Sequence, residues 1–225
     1  KASIKSNTKL IFGETIGNPG LDDLNIPEVS KIANESQIPF MVDNTFATPY
    51  LCNPLKLGAD LVMHSVTKFL GGHGVAIGGV IIDSGKFDWQ ISGNFPNMSE
   101  PYKGYHGLNF SEEYGPGAFL ARARAEGLRD FGASMSPQNA FYLLLGVETL
   151  GPRMARHVSN SEYIASFLLG RDDVNWVSYP GLNSHKDFEL ANNLMPKGAG
   201  AIISFGIKGG KDAGRKFIEK LEIFS

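Results

Sequence analysis

The sequence predicts an α/β protein built on a mostly parallel sheet, and three observations predict it. Two unbroken apolar runs, Phe40-Met41-Val42 and Leu61-Val62-Met63, close in the polar residues Asp43 and His64-Ser65, the pattern of strands covered on both faces. A segment with helical spacing stands between the first of these runs and an earlier one at Leu10-Ile11-Phe12. After Gly170 the strand and helix alternation starts again, which predicts the start of a smaller α+β domain.

Taken in order, residues 10–12 form the first strand, stopped by Gly13 and followed by the turn-rich stretch 17–20. Pro27 suits the first turn of a helix, where its missing N–H would have no partner, and Val29, Ile32 and Ala33 cover one face of that helix. Ile38 and Pro39 end it. The runs at 40–42 and 61–63 follow as buried strands, and Val80-Ile81-Ile82 reads as one more of the same kind. Residues 93–115 hold glycine, proline and many aromatic side chains without a regular period, a connection long enough to be functional more often than idle. Within it Tyr102, Tyr105 and Tyr114 suit either a substrate lid or simple packing.

Segments 119–131, 140–150 and 154–169 read as three helices, the last with a core stripe of Met154, Val158, Ala165 and Leu168. A strand at 174–179, a helix near 187–193, a strand at 201–207 and a helix from Asp212 complete the chain. A domain boundary is expected near Leu150, with 1–150 as the large domain and 151–225 as the start of the small one. No initiator methionine opens the sequence and no terminating signal closes it, so a segment of something longer is expected.

Composition narrows the function classes. Lysine and arginine number 21 against 23 acidic residues in a chain of 225, so no strong field gathers nucleic acid or an anionic membrane. No apolar run approaches the roughly 18 residues that span a bilayer. Cys52 is the only cysteine, which excludes a disulfide within the chain and fits a reducing, cytoplasmic setting.

The segment His64-Ser65-Val66-Thr67-Lys68, continuing to Gly71-Gly72-His73-Gly74, follows a strand and is rich in hydroxyls and glycine, so it can cradle a phosphate. The lysine precedes the glycines, which disfavours a nucleoside-triphosphate loop, and the dinucleotide G-x-G-x-x-G pattern is absent. A lysine beside two hydroxyls suits pyridoxal phosphate, whose aldehyde and phosphate arm occupy adjacent ring positions. Asp43, closing the neighbouring strand, is placed to meet the ring nitrogen on the opposite side. Read alone, Asp43 could equally cap a turn and the hydroxyls could be turn residues. His64 and His73 lack the spacing of metal ligands, and Cys52 has no positioned histidine and reads as a buried small apolar residue.

The strings 42–50 (VDNTFATPY), 57–62 (LGADLV) and 64–74, with Glu14 through Pro19, Ser136-Pro137, 146–150 (GVETL) and 153–160, resemble the pyridoxal-phosphate enzymes of cysteine and methionine metabolism. That group includes cystathionine synthases and lyases, methionine γ-lyase and the O-acetylhomoserine sulfhydrylases. The aromatic stretch 101–108 and Ala121-Arg122-Ala123-Arg124 look like the sulfhydrylase branch. The resemblance implies a fold-type-I pyridoxal-phosphate transferase that makes homocysteine and acetate from O-acetylhomoserine and sulfide. It also implies a homotetramer arranged as a dimer of dimers. Methionine γ-lyase or cystathionine γ-synthase chemistry stays open, and a non-catalytic phosphate-binding subunit is the alternative of another class.

By the same resemblance Lys68 would bond the cofactor aldehyde and carry protons, Asp43 would keep the ring nitrogen protonated, Ser65 and Thr67 would hold the phosphate, and Asn18 would touch the ring hydroxyl. No metal is implied. In such enzymes the tyrosine stacked on the ring, the phosphate-clamping Gly-Met turn and residues given by a neighbouring subunit lie upstream of this segment. The arginine for the substrate carboxylate lies downstream.

Overall fold

Four strands form the first sheet in the order β1 (Ile11–Glu14), β2 (Phe40–Asp43), β3 (Leu61–Ser65) and β4 (Gly79–Asp83) in the computed structural model, which describes residues 1–90 and 93–223. Ile91, Ser92, Phe224 and Ser225 lie outside the described residues. β1 runs parallel to β2 with Glu14 opposite Asp43, and β2 runs parallel to β3 with Asp43 opposite Met63.

The crossover between β1 and β2 is the helix Ile26–Glu35. Asn25 caps it, its side chain accepting from Glu28 N–H at 3.3 Å, and Pro27 occupies its first turn. Ile26, Ser30 and Ala33 of this helix are buried. Phe40 and Val42 are fully enclosed, as expected of a strand covered on both faces.

The strand at 79–83 departs from the sequence reading. It is antiparallel to β3, with Val62 opposite Ile82, and Val80, Ile81 and Ile82 remain exposed. A parallel return needs a crossover of a dozen or more residues, usually helical. The link 66–78 is long enough but holds only one helical turn, Val66–Leu70, too little to carry the chain back across the sheet, so it returns antiparallel beside β3.

The irregular stretch after β4 builds a small core of its own around Trp89, Met98, Phe110 and Ala118. Tyr102 and Tyr105 stack on each other at 5.8 Å, and Phe110 meets Tyr102 at a tilt and Tyr105 edge-on, so these two tyrosines pack. The helix read at 119–131 is α-helical over Ala118–Arg122 and then widens into a π-helix over Ala123–Asp130.

Ser136 caps the helix Pro137–Glu148 by accepting from Asn139 N–H at 3.2 Å. The next helix, Leu150–Leu169, buries Met154, Val158, Ser161 and Ala165, while Leu168 at its end is half-buried. A two-stranded antiparallel sheet, β5 (Val174–Ser178) with β6 (Ser204–Ile207), carries the helices Phe188–Leu194 and Gly210–Glu219. Side chains of this second layer reach back to the loop after β1: Ser178 Oγ donates to Gly20 O and Ser204 Oγ to Pro19 O, each at 3.0 Å.

Candidate active site

Because β1, β2 and β3 are parallel, their carboxyl ends share one edge of the sheet, and the residues that end them are Glu14, Asp43 and Ser65. Ligands collect at this edge in open α/β sheets. A cavity of 190 Å³ opens there, lined by Glu14, Asn18, Asp43, Thr45, Ser65 and Lys68, with Ile16 and Phe46 as its apolar wall. Hollows of 330 and 410 Å³ lie around Phe87 and Asp88, and neither sits at the carboxyl end of a parallel strand.

One oxygen of Asp43 is fixed by its own turn. Oδ1 accepts from Thr45 N–H at 2.9 Å and from Thr45 Oγ1 at 2.5 Å, an aspartate turn closed by a hydroxyl. Among the described residues Oδ2 makes no hydrogen bond, and that leaves it available to a donor in the cavity. Thr45 Oγ1 also accepts from Ser65 N–H at 2.8 Å, so the ends of β2 and β3 are tied through this one hydroxyl.

Asn18 sits on the loop after β1, where its backbone N–H donates to Glu14 Oε2 at 2.8 Å. Lys68 is exposed, and its amine forms no hydrogen bond or ion pair among the described residues. Its backbone, at φ −90° and ψ −127°, leaves helical geometry inside the turn Val66–Leu70.

The fold therefore brings Asn18, Asp43, Ser65 and Lys68 to one cavity. Thr67 does not line it. Its Oγ1 accepts from Gly78 N–H at 3.0 Å and stands 3.2 Å from Gly78 O, so its proton can serve that carbonyl or another acceptor.

Sequence reasoning gave no role to Thr45 or Glu14. The Asp-x-Thr spacing was the available signal for the first, since an aspartate readily accepts from the amide two residues on. Nothing local marks the second.

The histidines of the motif serve the scaffold. His73 Nδ1 stands 2.7 Å from Gly71 O and donates to it. His64 is buried on the other side of β3, beside Asn44 and Val62, and burial holds its imidazole pKa below the usual range. Cys52 is buried too, its thiol pushed up to about 12 by burial and by the charge of Asp23, which leaves it neutral and unreactive.

The chain matches the family described as Cys/Met metabolism PLP-dependent enzymes over residues 1–225. It is 49% identical to an O-acetyl-L-homoserine sulfhydrylase of Leptospira meyeri, covering all of this chain and 52% of that protein. It is 47% identical to a homocysteine synthase of Schizosaccharomyces pombe, covering 100% and 53% respectively. The chain thus spans about half the length of the curated relatives it matches.

A crystal structure of a Campylobacter jejuni protein assigned as O-acetylhomoserine (thiol)-lyase superposes with a TM-score of 0.95 at 35% identity, over all of this chain and 55% of that one. That structure carries an N'-pyridoxyl-lysine-5'-monophosphate residue. The polar groups at the cavity fit such a group: a carboxylate oxygen and a lysine amine that have no hydrogen bond or ion pair among the described residues, and the Ser65 hydroxyl at the end of β3.

Proposed function

The chain belongs to the Cys/Met metabolism PLP-dependent enzymes, and from that membership we propose that the protein converts O-acetylhomoserine and sulfide to homocysteine and acetate. The observation that carries the reading is that one cavity at the carboxyl edge of a parallel sheet is lined both by Lys68 and by Asp43, whose Oδ2 makes no hydrogen bond among the described residues. Binding a phosphate ligand alone would require neither residue.

Pyridoxal phosphate, when bound, supplies an electron sink for the pair left as a proton departs from the substrate α carbon. The chain's own residues do the rest. Asp43, through Oδ2, would accept from the ring nitrogen and keep a proton there. Thr45 aims that carboxylate and remains in place because Ser65 N–H also binds it. Ser65 Oγ would donate to the phosphate, and the Thr67 hydroxyl would join it by turning its proton away from Gly78 O. Asn18 orients the ring hydroxyl, and its loop is steadied by Glu14 and by Ser178 and Ser204 of the second layer. Lys68 Nζ would hold the cofactor aldehyde and, as a free amine, would take the α proton and return a proton.

The same reading places the protein in methionine biosynthesis in the cytoplasm. It also makes the protein a homotetramer built as a dimer of dimers, with residues 1–150 in the cofactor domain and 151–225 opening the small domain. The names of the relatives favour sulfhydrylation over lyase chemistry. The test is competitive: full-length enzyme given O-acetylhomoserine and sulfide forms homocysteine with a higher kcat/KM than it releases methanethiol from methionine. The reverse order would assign it to the lyase branch.

A further inference from the structure

Arg153 closes the turn that carries Lys68. Its Nη1 donates to Phe69 O at 2.7 Å, and Nη2 donates to Leu70 O at 3.3 Å and to Gly146 O at 2.7 Å. Nε donates to Thr149 Oγ1 at 3.0 Å. The Gly146 and Thr149 bonds are local to the helix start, whereas Phe69 and Leu70 lie 84 and 83 residues away in sequence. An arginine serving only its own helix would have no reason to reach them.

The turn needs outside help. The carbonyls of Val66 and Lys68 are taken by the amides of Gly71 and Gly72, at 2.9 and 2.7 Å. Beyond them the chain leaves the helical path, so Phe69 and Leu70 are the end carbonyls that a one-turn helix cannot pair by itself. A guanidinium there satisfies both and places positive charge at the negative end of the turn. Its planar fork does what a lysine's single ammonium could not.

The fit is tight on both sides. A Cβ on Gly72 would lie 2.3 Å from Arg153 Nη1, and one on Gly146 would lie 2.0 Å from Gly71 O. Glycines at these two points let the helices Pro137–Glu148 and Leu150–Leu169 approach closely enough for the contact.

We propose that Arg153 is a positioning residue for Lys68: by holding the Phe69 and Leu70 carbonyls it fixes the backbone that aims the lysine amine into the cavity. The proposal rests on the reading of Lys68 as the cofactor lysine.

The experiment compares full-length wild type, Arg153→Met, Arg153→Lys and, as a control on the exposed face of the same helix, Ile164→Ala. Amide hydrogen exchange of the apo-proteins is followed at Gly71 and Gly72, and the rate at which added pyridoxal phosphate becomes borohydride-trappable on Lys68 is measured. Removing charge-assisted hydrogen bonds of this kind should speed exchange at Gly71 and Gly72 about tenfold or more in Arg153→Met and slow trapping by a similar factor. β1 and β2 should keep their wild-type exchange, Arg153→Lys should fall between, and Ile164→Ala should match wild type.

Wild-type exchange at the two glycines in Arg153→Met would overturn the clamp. So would equal acceleration throughout β1 and β2, which marks general loss of stability. Trapping on a different lysine in the wild type would instead refute the reading of Lys68, and with it the purpose given to the clamp, whatever the exchange shows.

Discussion

Thr45 holds Asp43 by two atoms at once: its N–H and its Oγ1 both donate to Asp43 Oδ1, at 2.9 and 2.5 Å. The carboxylate therefore cannot rotate freely, and its second oxygen stays toward the cavity that Lys68 also lines. Since the same hydroxyl accepts from Ser65 N–H, the residue beside the lysine turn and the acid on the neighbouring strand share one anchor.

Replacing Thr45 tests this anchor. In Thr45→Val, Asp43 Oδ1 loses one donor and Ser65 N–H loses its acceptor, a cost of about 1–3 kcal/mol for groups left short of a partner. Turnover of the full-length enzyme should fall roughly tenfold if that cost is felt where Asp43 acts. Thr45→Ser keeps the hydroxyl and should recover most of the activity. Wild-type turnover in Thr45→Val, measured as kcat with thermal stability recorded alongside, would show that the hydroxyl does not aim Asp43.

Asp43→Asn leaves the shape of the site intact but removes the negative charge. An amide cannot hold a proton on a ring nitrogen, so the cofactor should still bind while kcat drops ~100-fold or more, the size of effect expected when one fixed electrostatic partner is lost. Cofactor content by absorbance and kcat on the same preparation separate the two effects. Near-normal kcat would remove Asp43 from the mechanism.

Asp23 predicts a pH dependence of stability. Its carboxyl is buried, neither oxygen has a hydrogen-bond partner among the described residues, and its pKa is raised from 3.8 to about 7 by burial first and then by the nearby charges of Asp187 and Asp22. Asp23 N–H donates to Asp187 Oδ2 at 3.0 Å, and Lys186 pairs with Asp22 at 2.7 Å rather than with Asp23.

A raised acid pKa means that the folded state takes up its proton at higher pH than the unfolded chain. The penalty is thus full above pH 7, shrinks as pH falls from about 7 to 3.8, and is absent below 3.8. Asp23→Asn should therefore stabilise the protein at pH 8, by on the order of a few kcal/mol, and lose that advantage progressively over this window. Thermal unfolding of both proteins from pH 8 to pH 4 measures it, and a constant difference across the range would contradict the assignment.

How far the sequence foretold this depended on whether the cause was local. β2 and β3 were legible because their apolar runs stop abruptly at Asp43 and His64-Ser65, and the crossover helix because Pro27 marks its first turn and Val29, Ile32 and Ala33 share one face. The direction of β4 was not, since Val80-Ile81-Ile82 reads alike in a parallel or an antiparallel strand and only the short preceding turn decides. At the site, Lys68 and Asp43 stood out by chemistry. Arg153 did not, because its two distant carbonyl partners become neighbours only after the helices pack. Thr67 shows the same limit: nothing in the motif indicates that its hydroxyl meets Gly78.

The most direct test of the whole account is to reduce the full-length holoenzyme with borohydride and map the modified peptide. One pyridoxyl adduct is expected, on Lys68. An adduct on any other lysine, with Lys68 unmodified, would contradict it.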